Sequence, residues 1–152
     1  MRVPMMALVA GAMVAIAGVA VAQAPSVGDV IKTRQANLKQ MGGAMKTLGD
    51  MAKSGTVDKA AGTEAAKKLD GHAQNIATWF PVGSGPESGV ETKAKPEIWA
   101  KQDDFKKAAD GLKAETGKMQ LAVDSGDAAK LGAQVAATGK ACGTCHEQFR
   151  SK

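Results

Sequence analysis

The chain of 152 residues carries 20 Lys plus Arg against 15 Asp plus Glu, a formal charge of +5, with 3 Phe, 2 Trp and no Tyr. Its lysines are scattered along the chain. With neither a clustered basic stripe nor base-stacking aromatics, nucleic-acid binding is excluded, and the charge reads as solvated helix faces.

Arg2 is followed by an unbroken apolar and small-residue run from Val3 to Ala22. A charged start, an apolar middle and small residues at Ala20 and Ala22 are the pattern of a cleaved export signal. Residues 1–22 are therefore expected to be a signal peptide and residues 23–152 the functional domain, with cleavage after Ala24 or an uncleaved anchor as the other options. This places the protein in the periplasm, and nothing after residue 22 is apolar enough to insert in a membrane. Removal of Arg2 takes Lys plus Arg from 20 to 19 against 15 acids, so the charge falls from +5 to +4. A remainder of this size suits one domain with one core.

Apolar residues recur at three and four spacing in four segments, without strand alternation. The first predicted helix runs from about Val27, behind a Ser26 cap, to Lys53, with Val27, Val30, Ile31, Leu38, Met41, Met45 and Leu48 as its stripe. Gly42 and Gly43 interrupt it at a cost of up to about 1 kcal/mol each, which suggests close packing there. The second spans about Asp58 to Trp79 and stops at Pro81. Residues 81–95 are too rich in Gly, Pro and Ser to stay helical. Pro96 opens a third helix reaching Val123. The last runs from an Asp127 cap to Arg150, with Leu131, Val135, Thr138, Cys142, Cys145 and Phe149 on one stripe. The expected fold is all-α, an antiparallel up-down-up-down four-helix bundle. Much of the inward stripe is alanine, so the core is thin alone and a large planar apolar cofactor would complete it.

Cys142, Cys145 and His146 form a C-x-x-C-H string. Three apart on a helix, the two Cβ atoms stand about 5 to 6 Å from each other, too far for a disulfide without distorting the turn. Two thiols on one face suit addition to the two vinyl groups of haem, with the adjacent imidazole as the iron ligand. The expectation is one covalent haem c per chain, held by Cys142 and Cys145 and ligated by neutral His146. A thioredoxin-like pair calls for a βαβ setting, and a zinc site for a fourth ligand, for which His72 is the other histidine.

Arg34 and Gln35 in RQANLKQMG, Trp79 and Phe80 before the Gly-rich loop, AKPEIW from Ala94 to Trp99, and CGTCHEQFR at the end resemble the cytochrome c′ family over residues 26–152. That resemblance implies particular roles: Leu38 over the distal face of the iron, leaving the sixth position empty; Arg34 and Gln35 near the haem propionates; Arg150 beside the proximal imidazole. It also implies binding of nitric oxide and carbon monoxide, a part in nitric oxide scavenging or transport rather than enzymatic turnover, and a homodimer through the first two helices, for which Met51 and Val57 are candidate apolar contributors. The redox partner is not identified by the sequence. The competing function is electron transfer in the manner of low-spin cytochrome c-556 relatives, where a methionine fills the sixth site; here Met41 or Met45 would have to serve.

Overall fold

A computed structural model describes residues 24–152; the predicted export signal lies outside them. Six α-helices follow in order: α1 Val27–Ser54, α2 Lys59–Asn75, α3 Glu97–Ala100, α4 Gln102–Thr116, α5 Met119–Asp124 and α6 Ala128–Phe149. The described residues contain no strand, only an isolated antiparallel bridge between Ala94 and Arg150.

The helix starts are set by local side chains. Ser26 accepts from the Asp29 backbone N–H and its hydroxyl donates to the Asp29 carboxylate at 2.6 Å, a reciprocal cap. Asp58 Oδ1 accepts from the N–H groups of Ala60 and Ala61, and Asp127 Oδ1 from those of Ala129 and Lys130, each satisfying donors that no helical carbonyl can reach. The α1 end is closed by Gly55 at φ 74, a left-handed geometry that glycine adopts without a Cβ penalty.

Helices α1, α2, α4 with α5, and α6 make the four staves of the bundle, with α1 packed between α2 and α6, and α4 between α2 and α6. The main core joins Met41, Ala44, Leu48, Ala65, Ala66, Leu69, Ala73, Ile76, Ala109, Leu112, Met119, Val123 and Leu131. Full burial of each larger aliphatic stabilises the fold by about 1.5 to 3 kcal/mol. A second cluster caps one end, where Phe105 packs edge-on against Phe80 and Phe149 at 5.0 and 5.3 Å between ring centroids.

Three expectations need correction. The last turn of the second helix is a tighter 3₁₀ turn, Ile76–Trp79. The third helix is not continuous from Pro96 to Val123: it breaks at Lys101, whose backbone is non-helical, and again at Gly117 and Lys118. The first break lets the Trp99 indole N–H donate to the carbonyls of Phe80 and Pro81, both at 3.1 Å. Lastly, Met51 and Val57 pack against the core rather than forming an exposed apolar strip.

Candidate haem site

Helices α1 and α6 run antiparallel and touch at one end. A Cβ placed on Gly49 would stand 3.8 Å from Val135 Cγ1, and one on Gly132 would stand 3.6 Å from the Ala52 Cβ. Because both helices rise by the same amount per residue, this register can be carried along the pair. Leu38 lies eleven residues before Gly49, and His146 eleven after Val135. Eleven residues are close to three whole turns, so each stays within about 20° of its reference line, roughly 16 Å further along the bundle. Leu38 and His146 therefore stand level, on the flanks that α1 and α6 turn toward each other. By the same step Gly42 stands level with Cys142.

At this level the glycines of both helices face open space. A Cβ on Gly42, Gly139 or Gly143 would meet nothing within 4 Å, and Leu38 keeps 36% of its surface exposed although it belongs to an apolar stripe. No protein side chain or backbone packs closely at Gly42 or Gly43: Gly43 faces outward, and Gly42 lies at the edge of a slot between Leu38 and His146. Glycines at 139 and 143, one helical turn apart, were the available signal for such a slot in the sequence. The residues present fit haem: an apolar side chain on α1, an imidazole level with it on α6, glycines that leave room between them, and two thiols beside the imidazole.

Cys142 and Cys145 are free and half-buried. Cys142 packs against the main core and Cys145 against the aromatic cluster. Burial raises both thiols above their usual range, Cys145 to about 11, with a smaller contribution from neighbouring Cys142. The His146 imidazole reaches solvent, yet the protein around it and then the Arg150 charge hold it below the ordinary histidine range. That favours the neutral, iron-ligating form. Arg150 is exposed just past α6, its N–H donating to the His146 carbonyl at 3.1 Å.

Arg34 is 2% exposed, one turn before Leu38. Its guanidinium donates to Ser84 Oγ and the Ser84 carbonyl at 3.0 Å, to Thr92 Oγ1 at 2.9 Å and to the Trp79 carbonyl at 3.4 Å, and it lies 4.5 Å over the Phe80 ring. It is the latch of the 81–92 loop, with no carboxylate among these partners, and desolvation lowers its pKa. Gln35 is exposed, donating to the Glu91 carbonyl at 3.0 Å. Nothing in the sequence pointed to Ser84 or Thr92 as partners. Met41 is core, and Met45 is partly buried against the core. His72 is not brought to the haem motif; it faces Gln40 at 3.2 Å and meets the Trp79 edge. A shallow groove of about 570 Å³ between α4 and α6, bordered by Lys107, Glu115, Lys140 and Thr144, lies on the flank of α6 away from His146.

A four-helix bundle with a C-x-x-C-H string on its last helix, opening on a slot, defines the class: a helical c-type haem protein. The family model described as Cytochrome C′ matches residues 29–150, and the chain belongs to that family. It is 35% identical over 151 residues to a cytochrome c′ of Rhodopseudomonas palustris, covering 96% of this chain and 95% of the relative. It is also 35% identical over 155 residues to a cytochrome c-556 of the same organism, with 95% of each covered. Among solved structures, cytochrome c′ of Rubrivivax gelatinosus superposes with a TM-score of 0.76 at 30% identity, over 85% of this chain and 100% of that one. A nitric oxide complex of a variant cytochrome c prime from Alcaligenes xylosoxidans superposes with a TM-score of 0.73 at 25% identity, over 83% and 97%. The family's cofactor is covalent haem c, and the two cysteines that would carry it are present in this chain.

Proposed function

We propose that this chain is a five-coordinate haem protein that binds nitric oxide, and carbon monoxide in its ferrous state, and that it scavenges or carries nitric oxide in the periplasm. The observation that carries the reading is Leu38: the side chain level with His146 across the slot is hydrocarbon and offers no atom to ligate iron. Haem bound here supplies a Lewis-acidic iron with one open position. The chain's own residues do the rest. Cys142 and Cys145 would tether the ring, His146 would ligate from α6, and burial first, with the Arg150 charge second, would favour its neutral imidazole. Leu38 would crowd the opposite face and provide no hydrogen-bond donor, a setting that disfavours oxygen more than nitric oxide. Arg34 would order the rim of the slot, with Gln35, near the propionates.

Binding rather than turnover fits a slot without a paired acid and base. The homodimer would use the outer faces of α1 and α2, with exposed Val27 beside the half-buried Met51 and Val57. The second reading, electron transfer with a sixth methionine, is favoured by the likeness to cytochrome c-556 and opposed by the core position of Met41. The optical spectrum of the purified protein, oxidised and reduced, with and without each gas, separates them. Broad high-spin bands that shift with both gases support gas binding; sharp low-spin bands indifferent to gas overturn it.

A further inference from the structure

The segment Thr92–Lys95 touches both walls of the slot. Toward α1, Thr92 Oγ1 accepts from Arg34 Nη2 at 2.9 Å. Toward α6, the Lys95 N–H donates to the Phe149 carbonyl at 3.0 Å, the Ser151 N–H donates to the Lys93 carbonyl at 2.8 Å, and Ala94 forms the antiparallel bridge with Arg150. The Lys95 ammonium donates to the Glu147 carbonyl at 3.0 Å, one residue from His146. Between the two anchorages Thr92 Oγ1 also accepts from the Ala94 N–H at 3.2 Å, so the short span is stiffened by its own side chain.

The helix register places these anchors. Arg34 and Arg150 are each four residues beyond Leu38 and His146 and so stand level, about 6 Å further along the pair. α1 and α6 are therefore held together twice: by direct contact at Gly49 and Val135, and by the strap beyond the slot. A slot fixed at both ends cannot widen unless one fastening gives. Close packing transmits such a constraint because helices move as rigid bodies.

We propose that Thr92–Lys95 is a strap that sets the width of the slot, with Thr92 and Lys95 acting as positioning residues for Leu38 and His146, and thereby sets the room left for a diatomic ligand. The ligand clause rests on the gas-binding reading; the width clause does not. Neither residue touches the ligand. A mere cap on the end of α6 would stabilise the fold without altering the gap, and that is the distinction to test.

The test uses the haem-loaded full chain and the variants Thr92→Val, which keeps shape and loses the acceptor, Lys95→Met, which keeps the backbone bond, and the pair combined. Thr92→Ser is the conservative control. Nitroxide labels on Lys39→Cys and Lys140→Cys report the α1 to α6 distance by pulsed electron resonance in the reduced, diamagnetic form, whichever sixth ligand produces that form. Loss of the strap is expected to shift the distance upward and to raise carbon monoxide affinity at least about fivefold, the change that one lost hydrogen bond typically supplies, while Thr92→Ser behaves as the parent. An unchanged distance in the double variant overturns the strap, whatever gas the protein binds. So does a lower melting temperature with distance and affinity both unmoved. Failure of the gas reading shows separately, as a parent protein whose spectrum ignores carbon monoxide while the distance still lengthens.

Discussion

Gly62 on α2 lies directly against Val123 on α5: a Cβ on the glycine would stand 2.8 Å from Val123 Cγ1 and 3.3 Å from Cγ2. Val123 is wholly buried, so its branched end has nowhere to retreat. Gly62→Ala gains up to about 1 kcal/mol in helix propensity but is expected to lose about 1 to 3 kcal/mol to overpacking. The outcome should be net destabilisation in urea melts. Val123→Ala in the same chain should then cost less than it does alone, and simple additivity of the two changes would show that the contact is not what excludes a side chain.

On the gas-binding reading, Leu38 would limit how closely a ligand can approach from α1. Leu38→Ala should raise ferrous carbon monoxide affinity by about tenfold or more, an effect worth roughly 1.4 kcal/mol. Gas titration followed optically reads it, and an unchanged affinity would remove Leu38 as the gate.

The Arg34 latch should be unforgiving. Arg34→Met leaves the buried Ser84 carbonyl without its Arg34 donor, while the Ser84 hydroxyl keeps only its own bond to the Pro81 carbonyl, and loss of a charged donor from a desolvated site typically costs about 3 kcal/mol. Arg34→Lys should recover little, since an ammonium cannot fork toward Ser84 and Thr92 together. Denaturant midpoints of the three proteins decide this; a lysine variant as stable as the parent would contradict the forked arrangement.

Cys142→Ser and Cys145→Ser should each leave one thioether. Haem then stays with the denatured chain on a gel, while the unreacted vinyl group moves the reduced absorption band to longer wavelength. The double variant should lose haem on denaturation. A single variant with an unshifted band would mean that the replaced cysteine carried no bond.

Acid should weaken one link between α4 and α6. Glu115 accepts from Lys118 at 2.8 Å and from the Gln134 amide at 3.0 Å. The Lys118 contact first and Gln134 second hold its carboxyl below the ordinary range. The unfolded chain then takes up this proton at a higher pH than the folded chain. The contribution is complete above the ordinary carboxylate range and is lost as pH falls through the folded value. Glu115→Gln should flatten that part of the stability curve between about pH 6 and pH 3, as read by urea midpoints; a curve parallel to the parent's would show that the contact is not maintained in solution.

Much of this was legible in the residues alone. C-x-x-C-H needs no tertiary context to be read, and Ser26, Asp58 and Asp127 mark helix starts because capping is local chemistry. Leu38 was harder. Periodicity places it on the inward stripe correctly, but periodicity cannot tell a wall of a slot from a wall of the core, and only the spacing of α1 from α6 does that. Arg34 was placed near the rim by resemblance, while its burial against Ser84 and Phe80 depends on a loop some fifty residues away. The break at Lys101 carried no signal, because a lysine is at home in a helix and the tertiary pull of Trp99 overrides it; Gly117 did carry one, and the apolar stripe running through it concealed it.

The two walls of the slot come from the first and last helices of the described chain. In a ribosome-born chain the N-terminal wall exists long before its partner, because Leu38 emerges well ahead of the C-x-x-C-H string at Cys142, Cys145 and His146. No fragment that stops short of His146, however well folded, can offer both Leu38 and His146 to a haem. Assembly of the site therefore requires synthesis through His146: a product truncated before Cys142 lacks the imidazole and both thiols and cannot hold the cofactor in a half-built form.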